Sequence, residues 1–148
     1  MKQTLRIVIP LLACALFSAL PPAQAQDKPY REGTVWSLTF VKVKAGMFDQ
    51  YLRDVGPQRK KLMDEAQKQG LVLSYKLLSG NAANRDDWDI LFLDEYKNWA
   101  AFDGLSDKFE ALENKLIGGE EKRTQMMIKR TEVREIIGDK LMQELILK

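Results

Sequence analysis

The chain has 148 residues, with 23 Lys+Arg against 21 Asp+Glu, one cysteine and no histidine. Lacking imidazole, it has none of the commonest general base, metal ligand or haem ligand, and its near-neutral balance argues against nucleic acid or an acidic membrane surface as partner. The length suits one domain with a modest single core.

The first segment reads as a secretory signal peptide, residues 1–25. Lys2 and Arg6 precede an apolar run from Ile7 to Leu20, broken only by Pro10 and Ser18, and Ala23-Gln24-Ala25 puts small residues at the two positions a signal peptidase reads. Cleavage is expected between Ala25 and Gln26, with the remainder periplasmic or secreted. The run is shorter than the roughly 20 apolar residues that cross a bilayer, so no membrane span is expected after cleavage. Leu11-Leu12-Ala13-Cys14 partly resembles a bacterial lipoprotein box, but apolar residues continue past Cys14 and a better Ala-x-Ala site follows. Loss of this leader removes Lys2, Arg6 and Cys14, leaving 21 Lys+Arg against 21 Asp+Glu. The remainder has no thiol for a disulfide, a nucleophile or a metal site.

Residues 26–33 are polar, include Pro29 and read as a short tether, with the domain spanning 34–148. Thr34 to Val43 alternates and is β-branched, as a strand requires. Trp36, Leu38 and Phe40 suit the face beneath the helices, and Val35, Thr39 and Val41 the opposite one, with Leu91 and Leu93. After Lys44-Ala45-Gly46, the apolar positions Phe48, Tyr51, Leu52, Val55, Leu62, Met63 and Ala66 take helical spacing up to Gly70. A kink is expected at Gly56-Pro57, where proline lacks the donor and crowds the preceding turn.

Leu71 to Ser79 and Asp87 to Tyr96 are short apolar segments around a polar loop, the pattern of a hairpin with a long tip. A helical region follows from Asn98, breaks at Gly118-Gly119 and resumes from Glu120 through Ile137 to a stop at Gly138. Leu141 to Leu147 suits a last strand, with a helical tail as the alternative. The order predicts an α+β domain of βαββαβ type, a four-stranded antiparallel sheet with helices on one face. The bare sheet face is expected to pair with a second copy, giving a homodimer.

This order, with Val41-Lys42-Val43-Lys44-Ala45-Gly46-Met47 leading into an aromatic helix at Tyr51, resembles the dimeric α+β barrel superfamily of ferredoxin-like domains. NIPSNAP-like, EthD-like and antibiotic-biosynthesis monooxygenase domains belong to it. The resemblance covers about Thr34 to Lys148 and implies two sheets paired into a barrel with a pocket beneath the helices. Its members range from cofactorless oxygenases to haem proteins, so the fold does not fix function.

Four residues carry the candidate chemistry. Arg59 falls on the same helical stripe as Leu52, Val55 and Leu62, where a cation needs an anion. That anion is either a ligand carboxylate or phosphate, held by a bidentate contact, or an internal Asp or Glu. Asp89, between Trp88 and Ile90, is either a desolvated general base or a solvated edge residue. Tyr75 and Trp36 either stack on a planar ligand or simply pack. There is no glycine-rich phosphate loop, glycine-flanked nucleophilic serine or EF-hand ligand set, and Met126-Met127 suits packing better than a soft-metal site. No metal or other cofactor is expected. The sequence points to an exported protein binding a small apolar or aromatic molecule between sheet and helices. The alternative is a cofactor-independent monooxygenase- or isomerase-like enzyme using Asp89 or Tyr75 on a small aromatic or polyketide-like substrate.

Overall fold

The computed structural model describes residues 27–148. The expected signal peptide, its expected cleavage between Ala25 and Gln26, and Cys14 lie outside the described residues. The chain runs β1 (Tyr30–Val43), α1 (Phe48–Lys68), β2 (Ser74–Ser79), β3 (Ile90–Tyr96), a 3-10 turn (Trp99–Phe102), α2 (Leu105–Leu116), α3 (Glu120–Thr131) and β4 (Arg134–Leu147). The four strands form one antiparallel sheet in the order β2-β3-β1-β4, an α+β architecture consistent with a ferredoxin-like fold. Two helices and a 3-10 turn stand where the simplest βαββαβ pattern has a single second helix. Among the described residues, no helix is long and apolar enough to cross a membrane.

The entry to α1 follows a turn at Gly46, whose φ of 77° suits a residue without Cβ. Its exit is a Schellman motif: Gly70 has φ 70°, its amide donates to the Gln67 carbonyl, and the Leu71 amide donates to that of Ala66. The helix is continuous through Gly56-Pro57, with the proline inside it. The surrounding turns hold it, because Tyr51, Val55, Met63 and Ala66 bury one stripe on both sides of the proline.

Two apolar clusters lie between α1 and the sheet. Val41, Val43, Tyr51, Val55, Ile90, Phe92 and Val133 form one; Met63, Ala66, Val72, Tyr96 and Leu112 form the other. The odd-numbered residues of β1 therefore face the helices, and Trp36, Leu38 and Phe40 face away, the reverse of the expected assignment for this strand. Both faces of β1 are apolar, so alternation alone does not say which is inward. Pairing with β3 decides it: Val41 sits opposite the fully buried Ile90, and Leu38 and Phe40 opposite Leu93 and Leu91.

Two further boundaries move. Tyr30 to Glu32 pair with Leu145 to Leu147, so the end of the expected tether belongs to the sheet. Arg134 to Ile137, expected in a helix, open β4, and Gly138 lies inside that strand rather than ending an element. The register steps from Phe40 opposite Gly138 to Val41 opposite Ile136, leaving Ile137 as the extra residue of a β-bulge.

Candidate functional site

Helix α1 projects Tyr51, Val55 and Arg59 toward the sheet at four-residue intervals. Tyr51 and Val55 are buried, and Arg59, one turn further, is half-buried. Its guanidinium lies 4.1 Å from the centre of the Phe92 ring and donates from Nη2 to Asp94 Oδ1 on β3 at 2.5 Å. The anion that Arg59 requires is thus supplied from within the domain. Burial pushes the Asp94 carboxyl above its ordinary pKa, and Arg59 only partly offsets that. Arg59 Nε is buried without a partner.

Arg59 and Phe92 separate two hollows. The first, about 210 Å³, lies between α1 and the edge strand β2. Leu52, Val55, Leu77, Phe92 and the rings of Tyr51 and Tyr75 give it an apolar lining. The Tyr75 hydroxyl donates to Asp64 Oδ1 at 2.6 Å, and Lys60 Nζ donates to the other oxygen of the same carboxylate at 2.6 Å. The bond to Asp64 raises the Tyr75 pKa, and the bonds from Lys60 and Tyr75 lower that of Asp64. Tyr75 therefore holds its proton more tightly than a free phenol, the opposite of what a catalytic base needs.

The second hollow, about 280 Å³, opens on the other side of Arg59, where α1 and α3 meet β4. Gln58, Arg130 and Arg134 give it a polar, cationic wall, with Thr39, Leu62 and Ile136 around them. Arg130 Nη2 donates to Gln58 Oε1 at 3.0 Å. Arg134 Nη1 donates to the Tyr51 hydroxyl at 2.8 Å, with its guanidinium 5.5 Å from the Tyr51 ring centre. Burial foremost, then the neighbouring charge of Arg134, lowers the Arg130 pKa. Burial raises that of Tyr51, against the pull of Arg134.

Of the four residues singled out from sequence, Arg59 and Tyr75 meet at the first hollow. Trp36 does not join them. It lies on the opposite sheet face, with the Lys76 ammonium 5.5 Å from its ring, because β1 faces the other way from the expected assignment. Asp89 is also elsewhere: Oδ2 accepts the Val43 amide at 2.8 Å and the Asp89 amide donates to the Val41 carbonyl at 3.0 Å. It fastens the 80–89 loop to the end of β1. The sequence pattern does not single out Arg130 and Arg134, because it places both in one helix running to Ile137. The β-branched pair Ile136-Ile137 after Glu135 was the signal that a strand had begun by then.

Among the described residues, no group of three or more Cys, Asp or Glu side chains is placed to hold a metal ion. What the site offers is an apolar hollow beside a cationic one, with an internally neutralised arginine between them. No known family model matches the chain, and no curated protein matches it at significant similarity.

Proposed function

We propose that this protein is an exported, dimeric α+β barrel protein that binds a small apolar or aromatic molecule between its sheet and helices. The observation that carries this reading is the hollow between α1 and β2, lined by Leu52, Val55, Leu77, Phe92 and two tyrosine rings. Small-molecule sites are typically concave and mostly apolar, with a few convergent polar groups, and here the polar groups gather at one end. The leader-like residues 1–25 support export. The apolar face bearing Leu38, Phe40, Leu91 and Leu93 supports pairing with a second copy.

Binding is favoured over catalysis by the states of the candidate acid-base groups. The Asp89 carboxylate accepts the Val43 backbone amide away from both hollows, and Tyr75 is held protonated by Asp64. Asp89 thus stands outside the candidate site, and Tyr75 holds its proton rather than giving it up. The test is native mass spectrometry of the protein purified from its own host under non-denaturing conditions. An intact apolar molecule should accompany it at near-stoichiometric level and be lost on Leu77→Glu, which places a charge on the lining of the hollow. A host-purified protein that carries nothing, or a retained molecule indifferent to that substitution, overturns the reading.

A further inference from the structure

We propose that Arg130 and Arg134 form a fork for the anionic head, a carboxylate or phosphate, of the molecule whose apolar body occupies the neighbouring hollow. The inference rests on the binding reading above and names the chemical class of the ligand.

Charge bookkeeping among the half-buried arginines carries it. Four arginines of the described residues are half-buried: Arg59, Arg123, Arg130 and Arg134. Arg59 is neutralised by Asp94 at 2.5 Å, and Arg123 by Glu110 at 3.1 Å and Glu113 at 3.2 Å. Arg130 and Arg134 have no such partner among the described residues. Each is held by a neutral oxygen instead, Gln58 Oε1 and the Tyr51 hydroxyl. Their positions along the chain bring the two guanidinium groups together, one on the last turn of α3 and the other at the first residue of β4.

Among the described residues, the acidic groups beside them form no ion pair with either: Asp54 lines a neighbouring hollow with Arg130, and Glu135 lines another with Arg134. Glu113 lines the same hollow but is engaged by Arg123, and Asp94 is engaged by Arg59. Asp139 reaches the rim from β4 without coming within ion-pair distance of either arginine. Two uncompensated guanidinium groups at a partly desolvated wall repel one another, and an oxyanion between them removes that repulsion while accepting charge-assisted bonds. Gln58 and Tyr51 act as positioning residues, because each anchors one guanidinium by a single bond and leaves its remaining N–H groups for the ligand.

The geometry also relates the two hollows. Both are bordered by Val55, Arg59 and Phe92, so a molecule with one end in each passes beside the Arg59 guanidinium that covers the Phe92 ring. Arg59, already neutralised, adds little net attraction for a second anion. The head-group preference should therefore follow Arg130 and Arg134.

The full chain is titrated calorimetrically with a matched panel: benzoate, 1-naphthoate and octanoate, the amide of each, and 1-naphthyl phosphate. The acids are expected to bind about tenfold or more tightly than their amides, with a preference that shrinks as salt is raised. In the Arg130→Gln/Arg134→Gln double variant, acid and amide should bind alike, at the amide's original affinity. Arg134→Lys should keep part of the preference, since it retains the charge and loses the fork, and Arg53→Gln on the exposed side of α1 should change nothing. Tighter binding of the naphthyl phosphate than of the naphthoate assigns the head as phosphate; the reverse assigns it as carboxylate. Because the acid-to-amide ratio is taken within one preparation of each variant, partial unfolding does not imitate the result. Equal binding of acids and amides by the unaltered protein overturns the head-group proposal and leaves the binding reading standing. If no member of the panel binds, both fall.

Discussion

At the scale of single residues, the pair of Arg59 and Asp94 decides how the charged stripe of α1 is tolerated. Among the described residues it is the ion pair that joins this helix to the sheet, and both side chains are largely withdrawn from water. Removing one partner leaves the other desolvated, so Asp94→Ala should cost about 2 to 4 kcal/mol in urea unfolding. Replacing both by leucine should restore most of that loss, since a buried pair seldom outperforms apolar packing. Equal losses in the single and double variants would show that the two charges are not coupled. Burial also shapes the tyrosines: it pushes the Tyr96 phenol up to about 12, helped by the Asp94 charge and opposed by Arg59. The folded pKa lies above the ordinary 10.0, so the folded state holds this proton more firmly and its contribution is fully present below pH 10. It is lost as pH rises through about 12. Discounted for solvent screening, the loss is roughly 1 to 2 kcal/mol. Thermal melts across that window should fall more steeply for the unaltered protein than for Tyr96→Phe.

At the scale of elements, what was legible in the sequence depended on whether a local pattern had one solution. The stripe of α1 and its Gly70 exit read correctly because their spacing and termination are local properties. Strand β4 did not, because its alternation changes phase. Arg134 and Ile136 share the helix-facing side with Asp139 and Leu141, an even set joined to an odd set by the bulged Ile137. No single period fits such a segment, which is why it resembles the end of a helix. The bulge absorbs Ile137 so that Arg134 keeps its place opposite Val43 and faces the cationic hollow, and half of the candidate site was hidden with this change of phase. Deletion of Ile137 should leave a regular ladder with Val41 still opposite Ile136 and Arg134 still facing the helices. Stability should then change by no more than about 1 kcal/mol, with acid binding retained. Deletion of Glu135 should turn Arg134 to the other face and abolish the preference for acids over amides. Calorimetry on the two deletions separates the cases, and matching behaviour would show that the register of Arg134 opposite Val43 does not set its orientation.

At the scale of the whole molecule, helices cover one side of the sheet, and the other presents Trp36, Leu38, Phe40, Leu78, Leu91 and Leu93 across three of its four strands, β1, β2 and β3. The existence of two apolar faces was legible from the unbroken hydrophobicity of residues 34–43. Their assignment was not, because inward and outward strand faces are distinguished only by partners far away in sequence. The outward face is the surface assigned to the second copy. Leu78 is half-exposed in the single chain, and Leu93 stands on β3 directly between Lys76 and Leu38. Fully covering an exposed leucine or phenylalanine gains about 1.5 to 3 kcal/mol, and less where the side chain is already half-buried, as all of these but Leu78 are, so a two-fold pairing must cover the whole patch to offset the cost of association. Leu93→Lys sets an ammonium at the centre of that face and touches neither hollow on the opposite side. Light scattering should find the unaltered protein dimeric at micromolar concentration and the variant monomeric, with ligand affinity reduced only as far as pairing contributes to the site. A monomeric unaltered protein would remove the second copy from the proposal and leave the two hollows, which lie within one chain, unaffected.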